Sequence, residues 1–524
     1  MERSGGEVSA MGSRVSSDSD AAAGEDRLSA LPDDVLVLIL LRLDTAAAAR
    51  TSILSRRWRH LWAILPELHF RVAPEPARTR AILESHEAAL RFLRVRTLGA
   101  APDSVAAWLP AAARRLSGRF VFINEDAAKE GGEEEEEEEE EQGGAFELPC
   151  FGKATAIYLG LRSLGVAMPQ AGIFARLTEL SLFRVRLHGP CELGDVISSP
   201  RCPCLQKLCI YFVWGLNNLA IHSGSLLRVE LLFVRGLNNL AIHSGSLLRV
   251  ELDDLGDLQQ LTIGAPVLEY LQVSGCIFND ENQQLASISA PQLVFLYWSD
   301  PYDPSSVDLG KMERVQRLST SDFLVYGPNN LAVAHNRGCV RLLERFKVVE
   351  DLILTLKYFG EIENFAYLMD DMTVLPDITF LKLNVLAYGH AFGASAFHVL
   401  RMCSGIRRLK LFLAPTHSEA QSSCPSVCIC GQQANWKTEE VSLNRLEEVE
   451  ITGLRGSENE IAFLKRLLSW AALLKMMTIY CDNSVAEKMA NELRQMLRSF
   501  SRTEVCMKVY TYEDMIKALC EKSS

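Results

Sequence analysis

The chain has 524 residues, more than one compact core usually holds, so it divides into domains or extends as repeats. Its formal net charge of −12 contains nine consecutive glutamates, Glu133–Glu141, which leaves −3 for everything else. No basic surplus marks a nucleic-acid or anionic-membrane partner. Fourteen cysteines in this length are too sparse for a disulfide scaffold. The chain has no Asn-x-Ser/Thr sequon, and its longest apolar run, Val35–Leu41, is too short to span a bilayer. These features lead us to expect a reducing compartment, cytoplasm and/or nucleus.

Residues 1–25 are polar, acidic and rich in Ser, Ala and Gly, and read as a disordered tail. Residues 26–70 change character. Leu31-Pro32-Asp33-Asp34 opens a helix in which Leu36, Ile39, Leu40 and Leu43 recur at helical spacing. Asp44-Thr45 caps a second helical stretch, where Ile53, Leu54, Trp58, Leu61 and Trp62 alternate with Arg56, Arg57 and Arg59. A core of about forty-five residues is marginal alone, so such a module leaves apolar surface for a partner.

From residue 71 to 440 one pattern dominates: apolar-x-x-apolar-x-apolar, a short strand with one buried side. It occurs at Leu177-Leu180-Leu182, Leu205-Leu208-Ile210, Leu268-Leu271-Val273, Leu293-Leu296-Trp298, Val349-Leu352-Leu354, Ile378-Leu381-Leu383 and Ile406-Leu409-Leu411, and continues beyond at Leu446-Val449-Ile451 and Leu474-Met477-Ile479. The steps from Leu177 to Leu205, Leu268 to Leu293, Ile378 to Ile406 and Leu446 to Leu474 all fall within the length of a leucine-rich repeat. Gly215–Leu231 recurs unchanged as Gly236–Leu252. The strand pattern in that stretch restarts at Leu216, Leu226, Leu237, Leu247, Leu258 and Leu268, so each turn holds two strands and no helix. Pro266 and Pro291 fall at the corners between them.

Ser104 is placed to cap a helix Val105–Arg115 ahead of a strand Phe120–Ile123. The glutamate run lies in an acidic segment, residues 125–145, that reads as a solvated disordered loop. Residues 441–515 predict a cap: strand, helix Glu458–Leu474, strand Met476–Tyr480, helix Val485–Phe500 and strand Glu504–Tyr510. The stretches Asp300 to about Arg345 and Ala414–Asn435 read as irregular insertions and hence as candidate recognition loops.

Cys424, Cys428 and Cys430, with His417 nearby, have x3 and x1 spacing, which is poor for structural zinc; we read them as free thiols and expect no metal. Cys202-Pro203-Cys204 reads as a turn, and His222 and His243 as surface copies of one repeat position. The sequence holds no phosphate-binding glycine loop, GxSxG elbow or HExxH helix, so no catalytic residue, cofactor or enzymatic activity is expected.

Residues 26–62, DRLSALPDDVLVLILLRLDTAAAARTSILSRRWRHLW, resemble an F-box: the LPDD helix and SxLSRRWRxLW occur in order and at the right distance. The repeats resemble the leucine-rich repeats of large plant F-box families, and Leu446–Tyr480, with Asn435-Trp436-Lys437 before it, resembles their FBD-type C-terminal region. The resemblance implies an α/β fold in which a small helical F-box precedes a leucine-rich-repeat solenoid with an α/β cap. It also implies the substrate-recognition role in an SCF-type ubiquitin ligase. A Skp-family adaptor, and through it a cullin, would dock on Leu31, Pro32, Leu36, Ile39, Leu40, Leu54 and Trp58, and a target protein on the repeats. The alanine run Ala46–Ala49 departs from a typical F-box, where larger or acidic residues are common. The alternative is a repeat-based interaction protein not coupled to a ligase.

Overall fold

The computed structural model describes residues 28, 30–125, 144–162, 164–189, 191–277, 285–328, 330–414, 428–431, 435–500 and 505–514. Residues 1–25, the glutamate run, His417 and Cys424 therefore lie outside the described residues. Three short helices come first: α1 (Asp33–Leu40), α2 (Thr45–Thr51) and α3 (Arg56–Ala63). Asp44 caps α2 by accepting from the Ala47 N–H at 2.7 Å, as its sequence position predicts.

The strand Glu67–Phe70 follows α3 directly and opens a long sheet of 19 described strands. Every pairing in it is parallel, from Glu67–Phe70 on Leu90–Leu98 to Met476–Cys481 on Cys506–Tyr510. Most of its strands bury alternate residues, and all three apolar positions of each motif named above are buried. The core is one continuous apolar layer behind this sheet. What changes along the solenoid is the layer that closes its back.

At the N-terminal end helices close it. The helix expected over Val105–Arg115 is two, Pro102–Ala106 and Leu109–Arg115, because Pro110 lacks an N–H and is accommodated in a first turn rather than a helix interior. In the middle a second, five-stranded parallel sheet takes over, made of Asn218–Ser223, Asn239–Ser244, Gln260–Gly264, Leu285–Ser289 and Val307–Asp308. Two strands in each turn of the duplicated stretch is thus the arrangement observed. The duplicated segments stack in register, Leu219 on Leu240 and Val229 on Val250.

Beyond Asp308 the back returns to helices. The stretch from Asp300 to Arg345 is not an irregular insertion: it holds the sheet strand Arg317–Leu324 and the long helix Asn330–Arg345. Most of Ala414–Asn435 lies outside the described residues. At the C-terminal end the helices Glu458–Trp470 and Glu487–Phe500 alternate with the last strands, as expected for the cap. Ser457 and Glu460 form a reciprocal capping box at the start of the first. The cap continues the long sheet without interruption. No described helix is long and apolar enough to cross a membrane.

Candidate docking face

After Asp33 and Asp34 the sequence of α1 is apolar all round, so the helix must present apolar side chains both inward and outward. Leu36 (0% exposed) and Leu40 (1%) point inward and, with Ala48, Leu61 and Leu65, form the buried apolar core of the three-helix module among the described residues. Leu31, Trp58 and Trp62 are half-buried against that core. Trp62 also meets the solenoid core, edge-on to His86 at a centroid distance of 6.0 Å.

Exposed to solvent are Val35, Leu38 (63% exposed) and Ile39 from α1, Leu43 from the turn after it, and Ile53 (82%) and Leu54 (66%) from the turn between α2 and α3. These are more apolar side chains than a module this small can bury. Arg57 fastens the entry of α1 to α3, with its guanidinium 2.6 Å from the Asp33 carboxylate and donating to the Leu31 carbonyl at 2.5 Å. Pro32 is exposed beside this clamp.

Of the seven residues assigned to docking from the resemblance, Pro32, Ile39 and Leu54 are on the surface, and Leu31 and Trp58 are partly so. Leu36 and Leu40 are not, because they fill the module's own core. Leu38 and Ile53, which lie outside those seven, are strongly exposed as well. Periodicity missed Leu38 because an all-apolar helix offers no polar side against which to orient the stripe.

The module is anchored rather than appended. Thr45 Oγ1 accepts from the His69 N–H at 2.6 Å, and the Ala63 carbonyl accepts from the Glu87 N–H at 2.9 Å. The exposed apolar side chains of the module are therefore held at a fixed place at the first turn of the solenoid.

The long sheet's uncovered face bears a mixed ladder. Arg249 lies over the ring of Tyr270 at 3.5 Å from its centroid, Tyr270 stacks on Phe295 at 4.7 Å, and Arg228 pairs with Glu230 and Glu251. Aromatic and arginine side chains on an extended parallel sheet are suited to protein contacts. His222 and His243 stack on each other at 5.2 Å and are exposed, as expected of copies of one surface position. Cys202 and Cys204 stand at a turn, the first buried and the second exposed.

Residues 28–70 match the family model for the F-box domain. An Arabidopsis thaliana F-box/FBD/LRR-repeat protein is 25% identical over 292 residues, 54% of this chain and 53% of its own length. An FBD-associated F-box protein of the same plant is 24% identical over 310 residues, 56% of this chain and 65% of its own. A further Arabidopsis F-box protein is 56% identical over 46 residues, 9% of this chain and 10% of its own. The chain thus spans about half to two thirds of the curated relatives it matches at length. With three F-box helices leading into a repeat-built parallel sheet, this chain carries an F-box domain and is similar, over about half of its length, to plant F-box/FBD/leucine-rich-repeat proteins.

Proposed function

We propose that the chain is the substrate-recognition subunit of an SCF-type ubiquitin ligase. A Skp-family adaptor docks on the F-box and brings the cullin, and a target protein docks on the repeats. The observation that carries this reading is the exposure of the apolar side chains Leu38, Ile39, Ile53 and Leu54 on a module whose buried apolar core, among the described residues, is Leu36, Leu40, Ala48, Leu61 and Leu65. Anchors of this kind supply most of an interface's affinity when water is excluded around them. The partly exposed aromatic and arginine ladder of the long sheet is the surface on which a target is held. Transfer of ubiquitin belongs to the partners, so this chain acts without catalytic residues or a cofactor, in the cytoplasm and/or nucleus.

The test is affinity capture of the full chain from plant cells, alongside a triple variant Leu38→Asp/Ile53→Asp/Leu54→Asp. The wild type is expected to capture Skp adaptor and cullin. The variant should lose both and retain, in greater yield, the proteins bound by the repeats. A soluble variant that still captures the adaptor would refute the docking surface. A wild type that captures repeat-bound proteins but no adaptor would leave an interaction protein uncoupled from a ligase.

A further inference from the structure

We propose that His390, Cys428 and Cys430 form a zinc site that clamps the segment following the strand Arg408–Leu413 onto the solenoid. By spacing alone, Cys424, Cys428 and Cys430 with His417 read as free thiols. The fold supplies a ligand from the preceding turn, His390, that spacing along the chain does not reveal. The imidazole and the two sulfurs lie within 4.8 Å of one another. Cys428 Sγ stands 3.5 Å from His390 Nδ1. A tetrahedral zinc with ordinary Zn–S and Zn–N bonds separates its ligand atoms by about 3.6 Å, so this pair already has the spacing of one tetrahedral edge.

The surroundings fix the chemistry of each ligand. His390 Nε2 faces the Gly360 carbonyl at 3.1 Å. A carbonyl only accepts, so the ring proton resides on Nε2, and Nδ1 turns its lone pair toward the sulfurs. A hydrogen bond from the far nitrogen of a histidine to a backbone carbonyl is the usual support of a metal-bound imidazole. Tyr358 stacks on the same ring at a centroid distance of 6.0 Å, and its own hydroxyl is 2.7 Å from Ser395 Oγ, which fixes the ring's plane. The Ala391 N–H donates to Cys430 Sγ at 3.5 Å, a contact that stabilises a thiolate.

Burial adds a charge argument. His390 is 7% exposed and Cys430 5%, whereas Cys428 is partly open. Two thiolates and a neutral imidazole around a dication are electrically neutral, so the buried assembly carries no net charge. Binding releases two thiol protons to solvent and leaves a fourth position for water on the open Cys428 side. Two sulfurs and one nitrogen select a borderline-soft cation such as zinc over magnesium or calcium.

The site also has something to hold. Ile429–Gly431 is a single short turn, and the chain comes down again at Asn435–Lys437. There Trp436 lies so close to the start of the helix Gly393–Met402 that a Cβ on Gly393 would run into its ring. Metal at Cys428 and Cys430 and the indole at Trp436 would fasten the same segment at two points.

The test is elemental analysis of the full chain, expressed with added zinc and purified without metal-affinity chromatography. About one zinc per chain is expected, falling below about a tenth in the Cys428→Ser/Cys430→Ser and His390→Ala variants and unchanged in Cys204→Ser. Zinc-free wild type, or zinc retained in the double-serine variant, would overturn the proposal. Should the variants fail to fold, cobalt exchanged into the wild type decides: thiolate-to-cobalt charge-transfer absorption with tetrahedral d–d bands supports the site, and their absence overturns it.

Discussion

Leu36 and Leu38 stand close together on α1 and face opposite ways: Leu36 is wholly enclosed by the F-box core, and Leu38 is among the most exposed leucines of the chain. A two-residue step turns a helix by about 200°, so this opposition follows from helix geometry alone. It separates two properties that an apolar helix otherwise confounds, folding of the module and capture of a partner.

Leu38→Ala and Leu54→Ala should each weaken adaptor binding by about 2 kcal/mol, roughly 30-fold, and leave the thermal melting of the chain unchanged. Leu36→Ala should do the reverse in kind. It opens a cavity in a very small core at a cost of about 2–5 kcal/mol and loses the adaptor only through unfolding. Calorimetric titration with purified adaptor beside melting curves distinguishes them. Equal loss of affinity with intact folding in all three would mean the outward face is not the interface.

His86 ties the F-box to the solenoid: its ring donates to the Leu65 carbonyl at 2.6 Å and packs edge-on to Trp62. Burial is the main influence and pushes its pKa below the ordinary value, the nearby Arg115 pushes the same way, and the Leu65 carbonyl and Glu87 oppose. The folded state thus binds the proton less readily than the unfolded one. The stability His86 contributes is complete above the unfolded pKa, about 6.5, and is lost as the pH falls through the lower folded value. His86→Gln, which keeps a donor but does not titrate, should melt with a shallower pH dependence below about pH 6.5 than the wild type. Parallel curves would show that His86 does not titrate at the junction.

Much of the solenoid was legible because a parallel strand buried on one side writes its period directly: each of the apolar triplets lies in or just before a strand. The helix Asn330–Arg345 was not, and its residues say why. Asn336 is fully buried and bonds both the N–H and the carbonyl of Leu324, the last residue of the strand Arg317–Leu324. Gly338 lies against the backbone of Pro301 and Tyr302, where a Cβ would come within 2.9 Å of the Tyr302 nitrogen. Asn and Gly in mid-segment read as loop, yet here tertiary contacts require them. His390 was illegible for a different reason, since its relation to Cys428 exists only across adjacent turns of the solenoid.

Asp300 was read as the start of a recognition loop, but its carboxylate is buried and accepts the backbone N–H groups of Gly275, Cys276 and Ile277 at 2.6, 2.9 and 2.8 Å. It holds the end of the neighbouring strand, where Gly275 adopts a positive φ of 62°. Asp300→Ala leaves three enclosed donors without an acceptor and should cost about 3 kcal/mol or more. Hydrogen exchange at residues 275–277 should accelerate first, since repeat arrays open locally. Exchange at these amides unchanged from wild type would show that the carboxylate is not their acceptor.

The duplicated turn allows the solenoid to be shortened by a whole unit. Gly215 and Gly236 occupy the same place in successive turns, with φ of 77° and 80°. The strands of both sheets pair in register with their copies in the next turn. Removing residues 215–235 joins Trp214 to Gly236, a glycine already in the conformation that Gly215 had. The strand Arg249–Asp253 then takes the place of Arg228–Val234 beside Lys207–Trp214, and the core-facing residues still meet apolar partners at the new seam, Val250 on Leu208 and Leu252 on Ile210. Nearest-neighbour contacts govern such arrays, so the shortened protein should fold with a melting temperature within a few degrees of the parent. Removing only residues 215–224 presents a strand of the long sheet where one of the second sheet belongs, and reverses the curvature that the paired strands impose. That variant should be insoluble or lose its cooperative transition. Circular dichroism and thermal melting of the two deletions decide the matter: similar behaviour of both would refute a two-strand turn as the structural unit.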